Sequence, residues 1–554
     1  MAHIITRACC NDAGCVPVCP VNCIHPTPDE PDYLTAEMLY IDPAGCIDCG
    51  ACVDACPVGA IHADYDLPEE YARFEEINAR YFTTPDRTDY EAEQATPQRR
   101  SWPDGLGRLK VAVIGSGPAA LYAAEELLSQ RGAEVEVDLF ERLPVPWGLV
   151  RFGVAPDHQD TKAASGPFAR TLRRSGCRIF LNTEVGKDLS LEELRQRYHA
   201  VIVAAGAMGD RALGVPGEDL AGSHSATELV AWYNGHPDFA DREFDLGHER
   251  AVVVGNGNVA LDVARVLVSE PARLERTDIA DHALERLRDS KVREVVVMAR
   301  RGPLEAAFTT KELLGLAELP DVDLVVDPAE LDVSEAEIAA LGDPASSVPA
   351  YKLQLLRELS TPTASRERRV VLKFLASPRR IEGSDRVTGI EVERNELVEA
   401  DGVRRARGTG ETATVEAGLV FRSVGYFGLE FPGVPFDERR GVVPNDRGRV
   451  LAAAEGEPVM GLYTAGWIKR GPSGVIGSNK RCAKETVGQL LDDWTAGRLT
   501  APPVDDDVAE LIPGRIELDG WKRIDSHESA AGKAAKRPRV KLVDVAAMVE
   551  IARA

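Results

Sequence analysis

Cysteine side chains are the first feature of this sequence that could carry chemistry. Nine of the eleven cysteines lie within the first 56 residues, where they form two runs of the same spacing. The second run, C-x2-C-x2-C-x3-C-P, consists of Cys46, Cys49, Cys52 and Cys56. The first run has Asp12 in place of one cysteine and consists of Cys9, Cys15 and Cys19. In a cytosolic protein such crowding indicates metal ligation rather than disulfide bonds.

The two runs resemble those of the bacterial two-cluster ferredoxins, in which the fourth cysteine of each run binds the cluster of the other run. Transferred to this sequence, that crossing predicts a [4Fe–4S] cluster held by Cys19, Cys46, Cys49 and Cys52. It predicts a second cluster held by Cys9, Cys15 and Cys56, with Asp12 at its fourth corner. A carboxylate is a harder and weaker iron ligand than a thiolate. We therefore expect the second cluster to be [3Fe–4S], or a [4Fe–4S] cluster that loses one iron readily.

The remaining two cysteines of this region and the identity of the metal leave alternatives open. Cys10 could replace Cys9 as a ligand, although the register of the repeat favours Cys9. Cys23 is expected to be a free thiol beside a cluster. A structural zinc module held by four thiolates is the competing interpretation. It is less favoured, because zinc ribbons do not normally share the final Cys-Pro.

A glycine turn early in the chain predicts a dinucleotide site. The stretch KVAVIGSGPAALYAAEELL, residues 110–128, combines a short apolar strand, a tight turn and a helix. Gly115 permits the turn, Gly117 lets the backbone approach a pyrophosphate, and Ala120 lets helix and strand pack closely. The next strand ends in Glu141, a carboxylate that could bind a ribose hydroxyl of the dinucleotide.

A second glycine turn, GNGNVA, carries Gly255, Gly257 and Ala260 in the same three roles. The strand that follows it ends in Arg300 and Arg301. An NAD site would have an acid at that point for the ribose diol, whereas guanidinium groups suit a 2′-phosphate. The second turn therefore predicts NADP(H), which leaves the first turn for FAD.

Composition places these motifs in an ordinary soluble protein of several domains. The chain has 554 residues, which is too long for one core, and it contains no run of about 20 apolar residues that would span a membrane. No secretory signal is visible, so the cytoplasm is the expected location. A net charge of −24 argues against a nucleic-acid partner. In the first 64 residues nine carboxylates face one basic side chain, Arg7, which favours either solubility or docking on a basic reductase surface.

A glycine-rich stretch near the end of the chain adds to the flavin site. It predicts a helix whose first amides could meet the flavin, namely those of Gly474, Val475 and Ile476. Nearby cations are either ordinary surface charges or a receiving face for the acidic domain, and they are Lys469, Arg470, Lys480 and Arg481. No C-x-x-C or C-x4-C pair follows Cys56, so the flavin has no redox disulfide to serve in its own domain.

Five separated motifs resemble the adrenodoxin-reductase-like ferredoxin–NADP+ reductases: GSGPAALYAAE, PVPWGLVRFGVAPDH, GNGNVALDVAR, RRGPLEAAFTTKEL and GWIKRGPSGVIG. With the cysteine runs, the whole chain resembles a bacterial ferredoxin fused to such a reductase. The resemblance implies FAD contacts at Ala119, Glu141, Leu149, Val185, Trp467, Gly474, Val475 and Ile476. It implies NADP contacts at Asn256, Gly257, Asn258, Val259, Arg300, Arg301, Glu312 and Gly474. The wider superfamily usually has an acid where this chain has Trp467, so the environment of the flavin ring differs.

The resemblance also implies the fold class. This is α/β, with two dinucleotide-binding (Rossmann-like) domains in the glutathione-reductase-like arrangement, preceded by a small α+β bacterial ferredoxin domain. We expect the ferredoxin domain at residues 1–66 and an acidic, proline-containing linker with one short helix at 67–107. The FAD domain is expected at 108–209 and 417–554, split by the NADP domain at 210–416.

The predicted reaction is NADPH:ferredoxin oxidoreduction. FAD takes a hydride from NADPH, and single electrons then pass to the chain's own iron–sulfur clusters, to a free ferredoxin, or to both. His158 and Glu312 are the candidates for orienting the nicotinamide or relaying a proton, and a turn-stabilising hydrogen bond is the other role for His158. Further acceptors expected are proteins such as cytochrome monooxygenases. The alternatives are an electron-input subunit of the glutamate-synthase type, or a ferredoxin domain that serves only for docking.

Overall fold

Two parallel β-sheets, each carrying one of the glycine turns, organise the computed structural model of this chain. The structure describes residues 2–83, 100–103, 105–343, 345–400 and 403–554. A small cysteine-rich domain precedes the two sheets. Within these described ranges, none of the helices combines the length and the apolar composition needed to cross a membrane.

The cysteine-rich domain is built from short strands and helices around buried thiols. Its antiparallel strand pairs are His3–Ile5 with Ile61–Ala63, and Ile24–His25 with Tyr40–Ile41. Its helices, short 3-10 segments included, are Pro31–Leu34, Ala51–Ala55, Asp64–Asp66, Glu69–Tyr71 and Arg73–Tyr81.

The helix Arg73–Tyr81 completes this domain, although the sequence placed it in a linker. Phe74 and Ile77 lie one turn apart and are buried in the same core as the N-terminal strands. The side chain of Asn78 accepts a hydrogen bond from the N–H of Ile5 at 3.2 Å and donates one to its carbonyl at 2.8 Å. The helix is therefore part of the domain's core, and most of the remaining expected linker lies outside the described residues.

The first large sheet has seven strands and is assembled from two distant parts of the chain. Its order is Asn445–Asp446, Arg449–Leu451, Pro458–Thr464, Ala200–Val203, Arg108–Ile114, Glu134–Phe140 and Cys177–Phe180. The last five of these strands are parallel. Its helices are Pro118–Leu128, Leu149–Phe152, Gln159–Lys162, Ser165–Thr171, Leu191–Arg197, Trp467–Arg470, Ser478–Thr495, Val508–Leu511, Leu518–Ala534 and Val545–Arg553.

The second large sheet has six parallel strands and lies in the chain between those two parts. Its order is Ser223–Ser225, Leu419–Arg422, Arg250–Val254, Glu294–Met298, Arg368–Lys373 and Val322–Val326. An antiparallel sheet in the same part comprises Ala376–Glu382, Gly389–Ala400 and Val403–Glu416. The helices of this inserted part are Ala226–Tyr233, Pro237–Phe239, Asn258–Val268, Pro271–Leu274, Asp281–Arg288, Pro303–Glu305, Thr310–Ala317, Pro328–Glu330, Glu335–Ala339 and Val348–Leu359.

The insertion of one parallel sheet into the chain of the other confirms the predicted fold class. The chain leaves the inserted part later than the boundary after residue 416 that the sequence suggested. The strand Leu419–Arg422 pairs with Arg250–Val254 and so belongs to the inserted sheet. An antiparallel pair, Gly209–Asp210 with Tyr426–Phe427, joins the two parts. Composition did not reveal this boundary, because a buried parallel strand is a short apolar run in either sheet.

Candidate functional site

The first glycine turn lies at the carboxyl end of the strand Arg108–Ile114, where open parallel sheets bind their ligands. Gly115 has a φ of 107°, and a Cβ there would lie 2.6 Å from the carbonyl oxygen of Ala204. A Cβ on Gly148 would lie 3.0 Å from the Cα of Gly117, so the two loops approach closely. The turn therefore requires glycine at residue 115, as the predicted dinucleotide turn does.

Glu141 is held beside this turn at the end of the neighbouring strand. Its carboxylate accepts hydrogen bonds from the N–H of Ser116 at 3.1 Å, the hydroxyl of Ser116 at 2.7 Å and the N–H of Leu143 at 3.0 Å. Burial raises the pKa of Glu141 despite these bonds. A carboxylate has about four acceptor positions, so one remains for a ribose hydroxyl.

Other residues predicted for FAD border the same turn. Ala119 and Ala120 lie in the first turn of the helix that follows it. A Cβ on Gly466 would lie 2.6 Å from that of Ala119, which brings the late glycine loop against the first one. Trp467 follows in that loop, and its ring stacks on Tyr426 with 6.0 Å between the centroids.

Three residues expected at a helix start lie instead in the loop before the helix: Gly474, Val475 and Ile476. The helix runs over Ser478–Thr495, and Gly474, with a φ of 78°, lies outside the right-handed helical region. Leu149 begins a short helix directly after Gly148. Val185 is buried in an apolar cluster that also contains the last residues of the strands Arg108–Ile114 and Glu134–Phe140.

The second glycine turn repeats the geometry of the first. A Cβ on Gly255, which has a φ of 116°, would lie 2.1 Å from the carbonyl oxygen of Ser423. The side-chain oxygen of Asn258 accepts a hydrogen bond from the N–H of Thr309 at 2.8 Å. The predicted NADP contacts of this turn lie in it or in the first residues of its helix, and they are Asn256, Gly257, Asn258 and Val259.

Arg300 and Arg301 follow the strand Glu294–Met298, which pairs with the strand that enters the second turn. Arg300 is exposed and Arg301 is half-buried. Within the described ranges, neither guanidinium group has an acidic side chain as an ion-pair partner. Two uncompensated guanidinium groups at the carboxyl edge of the sheet can bind a 2′-phosphate.

A buried charge network joins the part of the chain that carries the first large sheet to the inserted part. Its centre is Arg265, which is 2% exposed on the helix Asn258–Val268. The guanidinium group donates to carboxylates at 2.6 to 3.2 Å, those of Asp157, Asp262 and Glu312. It also donates to Nε2 of His158 at 2.9 Å. Asp157 and His158 precede the inserted part and the other residues belong to it, so one cation ties the two parts together.

This network brings the two candidate catalytic residues together, with 3.7 Å between Nε2 of His158 and a carboxylate oxygen of Glu312. Arginine can only donate, so Nε2 of His158 accepts and the ring proton lies on Nδ1. Burial, reinforced by the charge of Glu312, raises the pKa of Asp262 to about 6. Against the effect of burial, the positive charge of Arg265 lowers the pKa of Glu312.

The same site contains three possible metal ligands, His158, Asp262 and Glu312. The guanidinium group of Arg265 already contacts all three, so it supplies the positive charge that these carboxylates need. The sequence hint for Arg265 was an Asp–Arg pair three residues apart on an otherwise apolar helix.

Four thiols from the two cysteine runs line one cavity: Cys19, Cys46, Cys49 and Cys52. They are the set predicted for the [4Fe–4S] cluster, and their convergence fits a cluster shared between the runs. Cys23 lines the same cavity, with its sulfur 3.5 Å from that of Cys19. Cys49 is exposed, whereas Cys19 and Cys52 are buried.

The other predicted ligands form a second group with Asp12. Burial raises the pKa of Cys15, and the neighbouring charges of Cys9, Asp12 and Cys56 raise it further. The same three groups surround Cys10, so both adjacent cysteines lie beside this site. Three thiols with a carboxylate nearby fit the predicted second cluster, which is [3Fe–4S] or a [4Fe–4S] cluster that loses one iron readily.

The segment Cys9–Asp12 lies directly against the parts of the chain that carry the two large sheets. The N–H of Gly477 donates to the carbonyl of Cys10 at 2.7 Å, and Nζ of Lys311 donates to the carbonyl of Cys9 at 2.9 Å. A Cβ on Gly477 would lie 2.0 Å from the backbone of Asn11, so this contact requires glycine. Gly477 directly follows the loop predicted for FAD, and Lys311 directly precedes Glu312.

Glu37 makes further polar contacts across this interface. One carboxylate oxygen accepts from the N–H of Thr310 at 2.7 Å, and the other lies 3.4 Å from Nζ of Lys352. The Glu37 and Lys352 side chains are 13% and 8% exposed. Arg7 and Glu318 form a further ion pair across the interface. One apolar cluster also runs from the cysteine-rich domain into the inserted part, so the two pack as one body.

Two of the four cations expected near the late glycine loop, Lys469 and Arg470, have their partners within the part that carries the first large sheet rather than in the acidic domain. Lys469 is buried and donates to Glu485 at 2.6 Å. Arg470 donates to Ser473, within its own loop, at 3.0 Å. Both cations therefore stabilise the part of the chain that carries the first large sheet. Contact with the acidic domain comes instead from Lys311 and from Lys352, which the sequence analysis did not single out.

Comparison with known proteins covers both parts of the chain. A family model described as pyridine nucleotide-disulphide oxidoreductase matches residues 109–302, and one described as 4Fe-4S binding domain matches residues 39–62. A probable ferredoxin/ferredoxin–NADP reductase of Mycobacterium bovis is 49% identical, over 100% of this chain and 95% of the relative. The chain belongs to the ferredoxin/ferredoxin–NADP reductase family.

The reductase part alone has further relatives. The NADPH-ferredoxin reductase FprA of Mycobacterium tuberculosis is 47% identical over 80% of this chain and 98% of the relative. The solved structure of Mycobacterium tuberculosis FprA in complex with NADPH matches 81% of this chain and 100% of its own, with 44% identity and a TM-score of 0.76. These matches confirm the resemblance inferred from the five motifs and do not favour a glutamate-synthase-type subunit.

Proposed function

We propose that this protein is an NADPH:ferredoxin oxidoreductase that delivers electrons to its own N-terminal ferredoxin domain. The contact between Gly477 and Cys10 carries the proposal. It joins the loop predicted for FAD to the loop that carries the predicted cluster ligands. The names of the family's relatives support the same activity.

When bound, FAD accepts a hydride from NADPH and releases the two electrons one at a time to iron–sulfur centres. The protein's part is to hold the cofactors in register. We assign FAD to the first glycine turn with Glu141 and the loop before Gly477. We assign NADP(H) to the second turn, with Arg300 and Arg301 binding the 2′-phosphate.

His158 and Glu312 are proposed to position the nicotinamide at the junction of the two parts. Arg265 fixes the ring of His158 through Nε2 and leaves Nδ1–H as the donor. Within the described ranges Nδ1 has no hydrogen-bond partner, so it can serve an amide or a water. If His158→Ala reduces its flavin with NADPH at the wild-type rate in stopped flow, this role is wrong.

For the metal centres we propose a [4Fe–4S] cluster at the cavity beside Cys49 and a [3Fe–4S] cluster, or a labile [4Fe–4S] cluster, beside Asp12. The carboxylate of Asp12 accepts a hydrogen bond from the N–H of Gly14 at 3.2 Å, so it already has a partner other than iron. Anaerobically isolated protein is expected to show a three-iron EPR signal, before or after mild oxidation. Asp12→Cys should gain one iron per chain and lose that signal.

The experiment that tests the activity separates two acceptors. Ferricyanide can take electrons from the flavin directly, whereas cytochrome c reduction is expected to require the ferredoxin domain. Cys15→Ser should therefore retain NADPH–ferricyanide reduction and lose most NADPH–cytochrome c reduction. Equal retention of both activities would show that the ferredoxin domain serves only for docking.

We further propose the cytoplasm as the location, because cluster thiolates must be kept reduced. All eleven cysteines are free thiols in the structure. Acceptors beyond the chain are proposed to be a free ferredoxin or proteins such as cytochrome monooxygenases.

A further inference from the structure

The two sides of the ferredoxin domain have different neighbours. The segment Cys9–Asp12 on one side is covered by the reductase through Gly477 and Lys311. The cavity proposed for the [4Fe–4S] cluster opens elsewhere, and Cys49 on its wall is exposed. A second protein can therefore approach this cavity, whereas the chain itself occupies the other side.

Exposed apolar side chains border this opening. Val21 and Ile47 line the cavity and are 38% and 59% exposed. Val18 precedes Cys19 and Val53 follows Cys52, and these two valines are 41% and 38% exposed. Single exposed apolar residues need no explanation, but four beside one set of ligands indicate a contact area. We call these four residues, Val18, Val21, Ile47 and Val53, the exit patch.

Acidic side chains border the exit patch, and one of them, Asp48, pairs with His3 at 3.1 Å. Asp48 and Asp54 directly follow Ile47 and Val53 in the chain. Arg7 is the only lysine or arginine in residues 2–66, and it pairs with Glu318 on the reductase side. A partner with lysine or arginine around an apolar contact area is therefore complementary to the patch.

We infer that the exit patch is the docking surface for a separate one-electron acceptor protein, with an apolar contact area bordered by lysine and arginine side chains. The inference rests on the proposed function. It excludes the chain's own reductase as the occupant, because that part contacts the ferredoxin domain at Cys10 and Glu37, which do not line the cavity. A second copy of this chain is disfavoured as well, because each copy carries a net charge of −24.

The test uses the full-length holoprotein and cytochrome c, a small basic haem protein, as the probe. Ile47→Lys places a positive charge in the exit patch and is compared with Leu34→Lys. Leu34 is a matched control, because it is 49% exposed in the same domain and lies outside the patch. We expect Ile47→Lys to lower kcat/KM for cytochrome c about tenfold at low salt and Leu34→Lys to change it less than about twofold. Iron and sulfide content is measured in each preparation.

A second readout locates the contact without relying on turnover. Carbodiimide cross-linking joins carboxylates to lysine amines only where they touch. Peptide mapping is expected to find links from Asp48 or Asp54 to cytochrome c, and none from Glu37. Equal kcat/KM for the two variants, or links that avoid Asp48 and Asp54, would overturn the inference.

The two proposals fail in different ways. The proposed function fails if NADPH does not bleach the iron–sulfur absorbance of the wild type in the absence of any acceptor. The exit patch fails if that bleaching is normal and the cytochrome c results still do not distinguish Ile47→Lys from Leu34→Lys.

Discussion

The docking of the ferredoxin domain onto the reductase should weaken when Glu37 loses its charge. Glu37→Gln keeps an oxygen for the N–H of Thr310 but removes the ion pair with Lys352. Lys352 is not stranded, because it also donates to the carbonyls of Ala306 and Phe308 at 2.9 Å. Replacing a charge-assisted hydrogen bond by a neutral one costs about 1–2 kcal/mol. The undocked population should therefore rise about 5- to 30-fold.

The amide of Gly477 reports this change directly, because its partner is the carbonyl of Cys10 in the other domain. Its hydrogen exchange depends on the population of the undocked form. In hydrogen–deuterium exchange with mass spectrometry, the peptide containing Gly477 should exchange about 5- to 30-fold faster in Glu37→Gln than in the wild type.

A matched control is Glu30→Gln, whose carboxylate pairs with His25 inside the ferredoxin domain at 2.6 Å. This control should leave exchange at Gly477 unchanged. The docking argument is refuted if Glu37→Gln exchanges at the wild-type rate there, or if both variants accelerate exchange equally.

Three further predictions concern the nucleotide site, the buried network and the interface. Arg300→Ala and Arg301→Ala should each raise the KM for NADPH about 10- to 100-fold, because a charged hydrogen bond contributes about 1.5–3 kcal/mol. The KM for NADH should stay nearly unchanged, and an unchanged KM for NADPH would reject the 2′-phosphate assignment. Burial with Glu312 raises the pKa of Asp262 to about 6, from about 3.9 in an unfolded chain. The folded protein therefore keeps a proton that the unfolded chain releases, so the stability that Asp262 contributes is present below about pH 4 and lost as the pH rises through 6. The Tm of Asp262→Asn relative to the wild type should thus increase between pH 4.5 and 7, and a constant difference would contradict the shift. Gly477→Ala should weaken docking at least about fivefold, because overpacking costs about 1–3 kcal/mol; full cytochrome c reduction in a cofactor-loaded variant would show that close contact with the backbone of Asn11 is not needed.

The parts of the site that sequence predicted are those with local requirements. A dinucleotide turn needs glycine where a Cβ would meet the next strand's end, as at Gly115 and Gly255. A cluster needs thiols at short intervals, so its residues show their spacing in the sequence. Arg300 and Arg301 were recognisable because strand and turn fix their distance from the second glycine turn.

The interface could not be predicted, because its residues share no local pattern. Glu37 contacts Thr310, 273 residues away in the chain, and nothing distinguished Glu37 from the other carboxylates of an acidic domain. From the sequence alone, Lys469 could not be distinguished from a surface cation, but in the structure it lies buried against Glu485. From the sequence alone, Gly477 could not be distinguished from an ordinary residue before a helix. Only the fold shows that the ferredoxin domain packs where a side chain at this position would lie.

The measurement that tests the central claim most directly is an anaerobic titration of the intact chain with NADPH. Flavin and iron–sulfur absorbance are followed together, with EPR samples taken at each step and no external acceptor present. We predict that the iron–sulfur absorbance bleaches, and the signal of any oxidised three-iron cluster disappears, as the flavin is reduced. Complete reduction of the flavin with unchanged iron–sulfur absorbance and EPR would contradict electron transfer within the chain.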